Sequence, residues 1–337
     1  MHWVSNLLLL LCFPASIIEC VKRIWIRLRV DLSLLAVAVV WGSSYLVTKD
    51  LSSAASVPSL LGWRFVVAAA ALGILWMWRV RRIPGRAEAW TGVLLGLTQA
   101  GVLFLETFGV AQTQASTAGL IISLTVIFTP LLDAAAARRW LPPQYFVAAV
   151  VSTVGVALLT TGAGFRSPQP GDLLMLAAAL ARAIHVSLLG TLTRDKLYSS
   201  ITVTLIQSVV CALLGIALDP AGMVTSAMSF SPAAWLSVLY LGLACSVFAF
   251  LVQLWAVRRT SASRASLLMG TEPLWAVLLG VVVAGESLGW PGAGGCLLII
   301  GGCHAGQRIE ATFRAAAIVV EPDPAGPPQQ LHKDLIG

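Results

Sequence analysis

Apolar and polar positions divide this chain into ten apolar runs, at residues 32–48, 57–78, 89–110, 115–133, 142–161, 172–192, 200–218, 232–255, 263–283 and 289–307. As a helix, each is long enough to cross roughly 30 Å of hydrocarbon. The stretches between them are short and carry turn chemistry or charge: Arg81-Arg82-Ile83-Pro84-Gly85, Pro142-Pro143, Ser167-Pro168-Gln169-Pro170-Gly171 and Asp219-Pro220. The pattern predicts an all-α membrane protein with ten transmembrane helices.

The runs also repeat. TQASTAGLIISLTVIFTPLL from Thr113 returns as TSASRASLLMGTEPLWAVLL from Thr260, at an offset of 147 without a gap. The same offset pairs Leu141 with Leu288 and Gly155 with Gly302. At the front of each half, Asp31-Leu32-Ser33-Leu34-Leu35-Ala36 is echoed by Asp172-Leu173-Leu174-Met175-Leu176-Ala177. Five spans per half is an odd number, so the halves cross in opposite senses, as two inverted five-helix repeats. That arrangement points to alternating access around a central site.

Charge agrees with the inversion. The first copy enters its apolar run without a cation and leaves through Arg138-Arg139, whereas the second enters from Arg258-Arg259. Of the 22 Lys and Arg residues, 18 fall on one side, in alternate loops and at both ends; Lys49 and Arg166 fall on the other. This bias places both termini in the cytoplasm and the chain in the cytoplasmic (inner or plasma) membrane. Arg64 and Arg182 remain inside spans.

Composition supports the membrane reading. The chain is 58% hydrophobic and 11% charged, with a mean hydropathy of +0.87, against about 25% charged residues in soluble domains. The net charge of +7 is explained by loop cations, so no nucleic-acid partner is implied. None of the six cysteines forms a CxxC pair, and neither a metal site nor a disulfide framework is indicated.

The expected organisation is an N-terminal extension over 1–30, outside the working protein; a first five-helix repeat over 31–164; a second over 171–309; and a disordered cytoplasmic tail over 310–337. In the extension, the short run Leu7 to Phe13 precedes its basic residues, the reverse of a signal peptide.

WGSSYLVTK at Trp41, Trp63-Arg64-Phe65, TSASRASLLMGTEPLWAVLLG at Thr260 and GESLGWPGAGGCLLIIGG at Gly285 occur in that order. Through them the chain resembles the EamA-type transporters of the drug/metabolite transporter (DMT) superfamily, over residues 31 to 307. The resemblance implies ten helices in two inverted repeats, a central substrate cavity and export of small metabolites. Members often carry a Trp-Ala pair in span six matching Trp41-Gly42; here it reads Arg182-Ala183.

Intramembrane charge is costly, so it faces protein or water. Arg182 lies at the midplane of span six, Glu272 midway through span nine, Glu106 in span three and Arg64 in the outer half of span two. Arg182 and Glu272 are read as cavity-lining, with Arg182 holding an anionic substrate group and a glutamate binding a cation or carrying a proton. Structural ion pairing is the alternative. Glu106 fits either reading, and Arg64 is read as structural. Further substrate-binding candidates are Trp41 and Tyr45, on one stripe with Ser44, together with Gln99 and Trp275. Candidates for proton coupling are Glu272, Glu106 and His185. Pro130 and Pro273 are expected to interrupt spans four and nine.

These features predict a secondary transporter, most readily an exporter, of a small organic metabolite or drug, needing no cofactor. No P-loop, HExxH or GxSxG appears, so the chain is not read as an enzyme. The alternative is a membrane receptor or scaffold that binds without transport. Partners are the small-molecule substrate and the lipid bilayer; a homodimer is an open alternative, although ten spans give one chain enough helices for its own pathway.

Overall fold

A computed structural model describes residues 28–136, 140–161, 169–193, 196–257, 269–285 and 289–320. The basic pairs Arg138-Arg139 and Arg258-Arg259, the repeat start at Thr260, the first 27 residues and the tail from 321 lie outside the described residues.

All regular structure among the described residues is helical. The first half holds α1 (Leu28–Leu51), α2 (Val57–Arg79), α3 (Arg86–Ala111), α4 (Ala115–Ile122), α5 (Thr125–Ala136) and α6 (Pro143–Thr161). The second holds α7 (Pro170–Thr193), α8 (Ser200–Leu218), α9 (Pro220–Ser229), α10 (Pro232–Tyr240), a π-helical segment (Leu241–Phe248), α11 (Ala249–Val257), α12 (Glu272–Val282) and α13 (Trp290–Val320). Seven helical segments among the described residues are long and apolar enough to cross a membrane, against the ten expected. α6 and α13 occupy the fifth and tenth places, and α12 covers only the later part of the ninth.

The starts follow capping chemistry. Ser56, Ser199, Asp219 and Ser231 accept backbone N–H groups from Ser59, Thr202, Gly222 and Ala234. Pro58, Pro220 and Pro232 occupy first-turn positions, where a missing N–H costs nothing.

One break falls at its proline and one does not. Pro130 sits inside α5. Span four instead tightens at Ser123-Leu124, where Ser123 and Leu124 N–H groups bond back three residues to Leu120 and Ile121. Thr125 Oγ1 then bonds the carbonyls of Ile122 at 2.7 Å and Ala179 at 3.2 Å, securing the break against α7. Pro273 opens α12 after a turn at Gly270-Thr271. Span eight carries an irregularity with no proline at all, the π segment, whose Ser246 Oγ bonds the Leu241 carbonyl five residues back at 3.0 Å.

The packing exchanges the halves. A Cβ on Gly155 would press on Gly295 and Ile299, and one on Gly302 on Ala148 and Ser152. The offset of 147 carries each residue of the first set onto the second. Likewise Gly109 abuts Gly171 and Met175, while Ala256 clusters with Val30 and Leu34; offsets of 147 and 141 relate them. Gly96 lies against Gln207 and Val210, and Gly242 against Arg64 and Val67. Here the offset from α3 to the start of the π segment is 146. Beyond the π segment it returns to 147, because the wider turn absorbs one residue.

Candidate functional site

Midway along the long helices, α1, α2, α3, α7 and α11 line a small, partly open pocket. α1 contributes Trp41 and Ser44, and α2 contributes Arg64. α3 contributes Gln99, Leu103 and Glu106, which share a face at spacings of three and four. α7 supplies Arg182, His185 and Val186; α11 supplies Phe250 and Gln253.

Arg182 is the centre of the polar wall. One terminal nitrogen lies 2.9 Å from Glu106 Oε2, and the other 3.3 Å from Glu272 Oε2 and 3.4 Å from Oε1. Its guanidinium carbon sits 5.3 Å from the centre of the Trp41 ring, a cation–π position. Tyr45 OH donates to Glu272 Oε1, and Trp41 Nε1 donates to the Cys245 carbonyl of the π segment at 3.1 Å. Glu106 and Glu272 are each less than one-tenth exposed. One guanidinium therefore serves two buried carboxyl groups.

His185 meets Thr98 Oγ1 through Nδ1 at 2.8 Å, and the same hydroxyl reaches the Leu95 carbonyl at 3.0 Å. The Thr98 hydroxyl thus holds the imidazole ring in place through Nδ1.

Arg64 is 5% exposed. Its Nε donates to Ser246 Oγ at 2.9 Å, and its guanidinium carbon lies 5.5 Å from the Phe65 ring centre.

Seven of the eight sequence candidates come together: Trp41, Gln99, Glu106, Arg182 and His185 line the cavity, and Tyr45 and Glu272 adjoin it through Arg182. Trp275 stands apart, packed where α12 meets α1 at Gly42, and its buried Nε1 has no hydrogen-bond partner among the described residues. Thr98, Ser246 and Phe250 were missed. The offset of 147 signals Phe250, because it pairs Phe250 with Leu103 just as it pairs Gln253 with Glu106.

Known proteins resemble this chain over most of its length. Residues 28–161 and 169–304 each match the EamA-like transporter family. The chain is 25% identical over 269 residues to an uncharacterized transporter of Archaeoglobus fulgidus, covering 78% of this chain and 80% of that protein. It is also 25% identical over 283 residues to the uncharacterized transporter YetK of Bacillus subtilis, covering 80% and 84%. A solved structure titled "Crystal structure of protein" shares the fold with a TM-score of 0.57 at 21% identity, over 86% of this chain and 98% of the other.

Proposed function

The chain belongs to the EamA-like transporter family and is a multi-pass membrane transporter, and we propose that it moves a small organic metabolite or drug outward across the cytoplasmic membrane by proton-coupled alternating access. The observation that carries this reading is the shared guanidinium of Arg182. Glu106 and Trp41 come from the first repeat, and Arg182 and Glu272 from the second, so the cluster sits at the interface of the repeats, where transporter sites form.

With both carboxyl groups ionised, one negative charge is left over. A proton on either glutamate, or a cationic group of the substrate, neutralises it. A protonated carboxyl attracts the guanidinium far less than a carboxylate does, so proton binding loosens the link between repeats. Trp41 and Phe250 supply apolar faces for an organic body, and Gln99 and Gln253 supply neutral hydrogen bonding. Tyr45 orients Glu272. His185 stands one turn of α7 from Arg182 and offers a second protonatable nitrogen. The cation bias of the loops supports cytoplasmic termini.

The test is substrate-dependent proton movement in proteoliposomes holding a pH dye, screened across amino acids, nucleosides, sugars and cationic drugs, with Arg182→Ala and Glu272→Gln alongside. The expected result is a solute that moves protons with the native protein and fails with either variant. Solute flux at constant internal pH would remove proton coupling. Binding without flux across the whole panel would turn the reading to a receptor.

A further inference from the structure

We infer that Arg64 is the anion-binding residue of the cavity, and that the transported molecule carries a carboxylate, phosphate or sulfonate group there. The inference rests on the transporter reading and deepens it.

The cavity holds two guanidinium groups with opposite circumstances. Both terminal nitrogens of Arg182 are engaged by Glu106 and Glu272. Arg64 has no carboxylate within 4.0 Å among the described residues. It is nonetheless one of the most buried charged side chains of the membrane interior, and it lines the same space. An intramembrane charge without a countercharge marks a substrate or ion path. Its Nε bond to Ser246 fixes the plane of the fork and leaves the two terminal nitrogens for a bidentate acceptor. Ser246 is held in turn by the Leu241 carbonyl, a bond that spans the wide turn of the π segment. The one-residue irregularity of span eight thus positions the hydroxyl that positions Arg64.

The charge arrangement fits a ligand with a negative group at Arg64 and an aromatic or apolar body toward Trp41 and Phe250. Any cationic group would face the Glu106 and Glu272 carboxylates. The position related to Arg64 in the second repeat is Gln207, which is neutral, so the anion end of the cavity exists only once.

The test uses purified full-length protein in detergent and measures the thermal unfolding midpoint against benzoate and against benzamide, its neutral isostere, at constant ionic strength. Benzoate is expected to raise the midpoint saturably and more than benzamide. Arg64→Met should weaken benzoate about 10- to 100-fold, the range for losing a charge-assisted pair, with benzamide unchanged. Arg64→Lys should keep the preference at reduced affinity, because it retains the charge without the fork. Equal responses to the two probes in the native protein, or an intact preference in Arg64→Met, would overturn the inference. If Arg64→Met does not yield folded protein, Ser246→Ala decides: a few-fold loss for benzoate alone is expected, and an unchanged benzoate response would overturn it. A benzoate preference in a protein that moves no solute would sink the transporter reading and spare the anion site. Flux with no preference would do the reverse.

Discussion

At Gly155 and Gly302 the two repeats meet as equals, and at Trp41 and Arg182 they do not. The first pair exchanges contacts under one offset: each glycine admits the backbone of the other repeat's last helix, and each would be blocked by a methyl group. Cavity positions obey the same correspondence in space and violate it in charge. Arg182 answers Trp41, and the two lie face to face at 5.3 Å. Glu106 is answered by Gln253, Glu272 by Thr125, Arg64 by Gln207 and His185 by Ser44. Each of the four charges that line or adjoin the cavity has a neutral counterpart. The symmetric part is scaffold, set by close helix packing that any apolar cargo would tolerate. The asymmetric part is where the proposed site lies, since equal charges in both halves would stack like charges across the axis.

The largest expected effect comes from removing that asymmetry at its centre. Arg182→Ala leaves two buried carboxylates without a cation and should destabilise the protein by about 3–5 kcal/mol, read from unfolding in detergent. Adding Glu106→Gln and Glu272→Gln should restore most of the stability and none of the flux. A single variant as stable as the native protein would show that the glutamates do not depend on Arg182. A methyl at the symmetric seam is next. Gly155→Ala and Gly302→Ala should each cost about 1–3 kcal/mol through overpacking. Their costs should be similar, because each methyl meets backbone of the facing helix at under 3 Å. Clearly different costs would break the equivalence of the two seams. Thr98→Val removes the hydrogen-bond partner of His185 Nδ1 and should cost about 1 kcal/mol. It should also shift the pH profile of transport if His185 carries protons.

Much of this division was legible in the chain. The gap-free offset of 147 located the seam, and the rarity of intramembrane charge singled out Arg182, Glu106 and Glu272 before their meeting was known. Other features turn on helix rotation and register, which hydropathy does not encode. Trp275 shares the apolar character of Trp41 yet faces the α1 contact. The π segment reads as an ordinary apolar run, so Ser246 gave no sign of serving Arg64. Arg64 read as structural from its outer-half position, and a linear sequence does not tell that Glu106 is claimed by Arg182. Pro130 misled because a proline within an apolar run suggests a break, whereas Ser123 and Thr125 satisfy the backbone at the actual one. Asp219-Pro220 was read as a separator, although it is also a good helix start, and α9 begins there.

That short helix supplies the smallest and most local test. The connection between α2 and α3 in the first repeat is a bare turn, with Arg81 in the left-handed region at φ 51. Its counterpart in the second repeat contains α9, tied to α2 by Asp219, which accepts from Ser56 Oγ, Ser59 Oγ and its own Gly222 N–H. Trp63 Nε1 adds a bond to the Met223 carbonyl at 3.1 Å. The Ser56 hydroxyl, then the Gly222 N–H and the Ser59 hydroxyl, favour the ionised carboxyl and hold Asp219 below the usual aspartate range. Because the folded-state value is depressed, its stabilising effect is complete above the unfolded value of about 3.9 and is lost as pH falls through the lowered one. Asp219→Asn should therefore lower the unfolding midpoint slightly at neutral pH and match the native protein at the acid end. The half-buried, solvent-accessible position keeps the effect small. A native-to-variant difference that stayed constant across the acid range would mean that the clasp works through shape alone, and that the loops, unlike the cavity, do not depend on charge for their asymmetry.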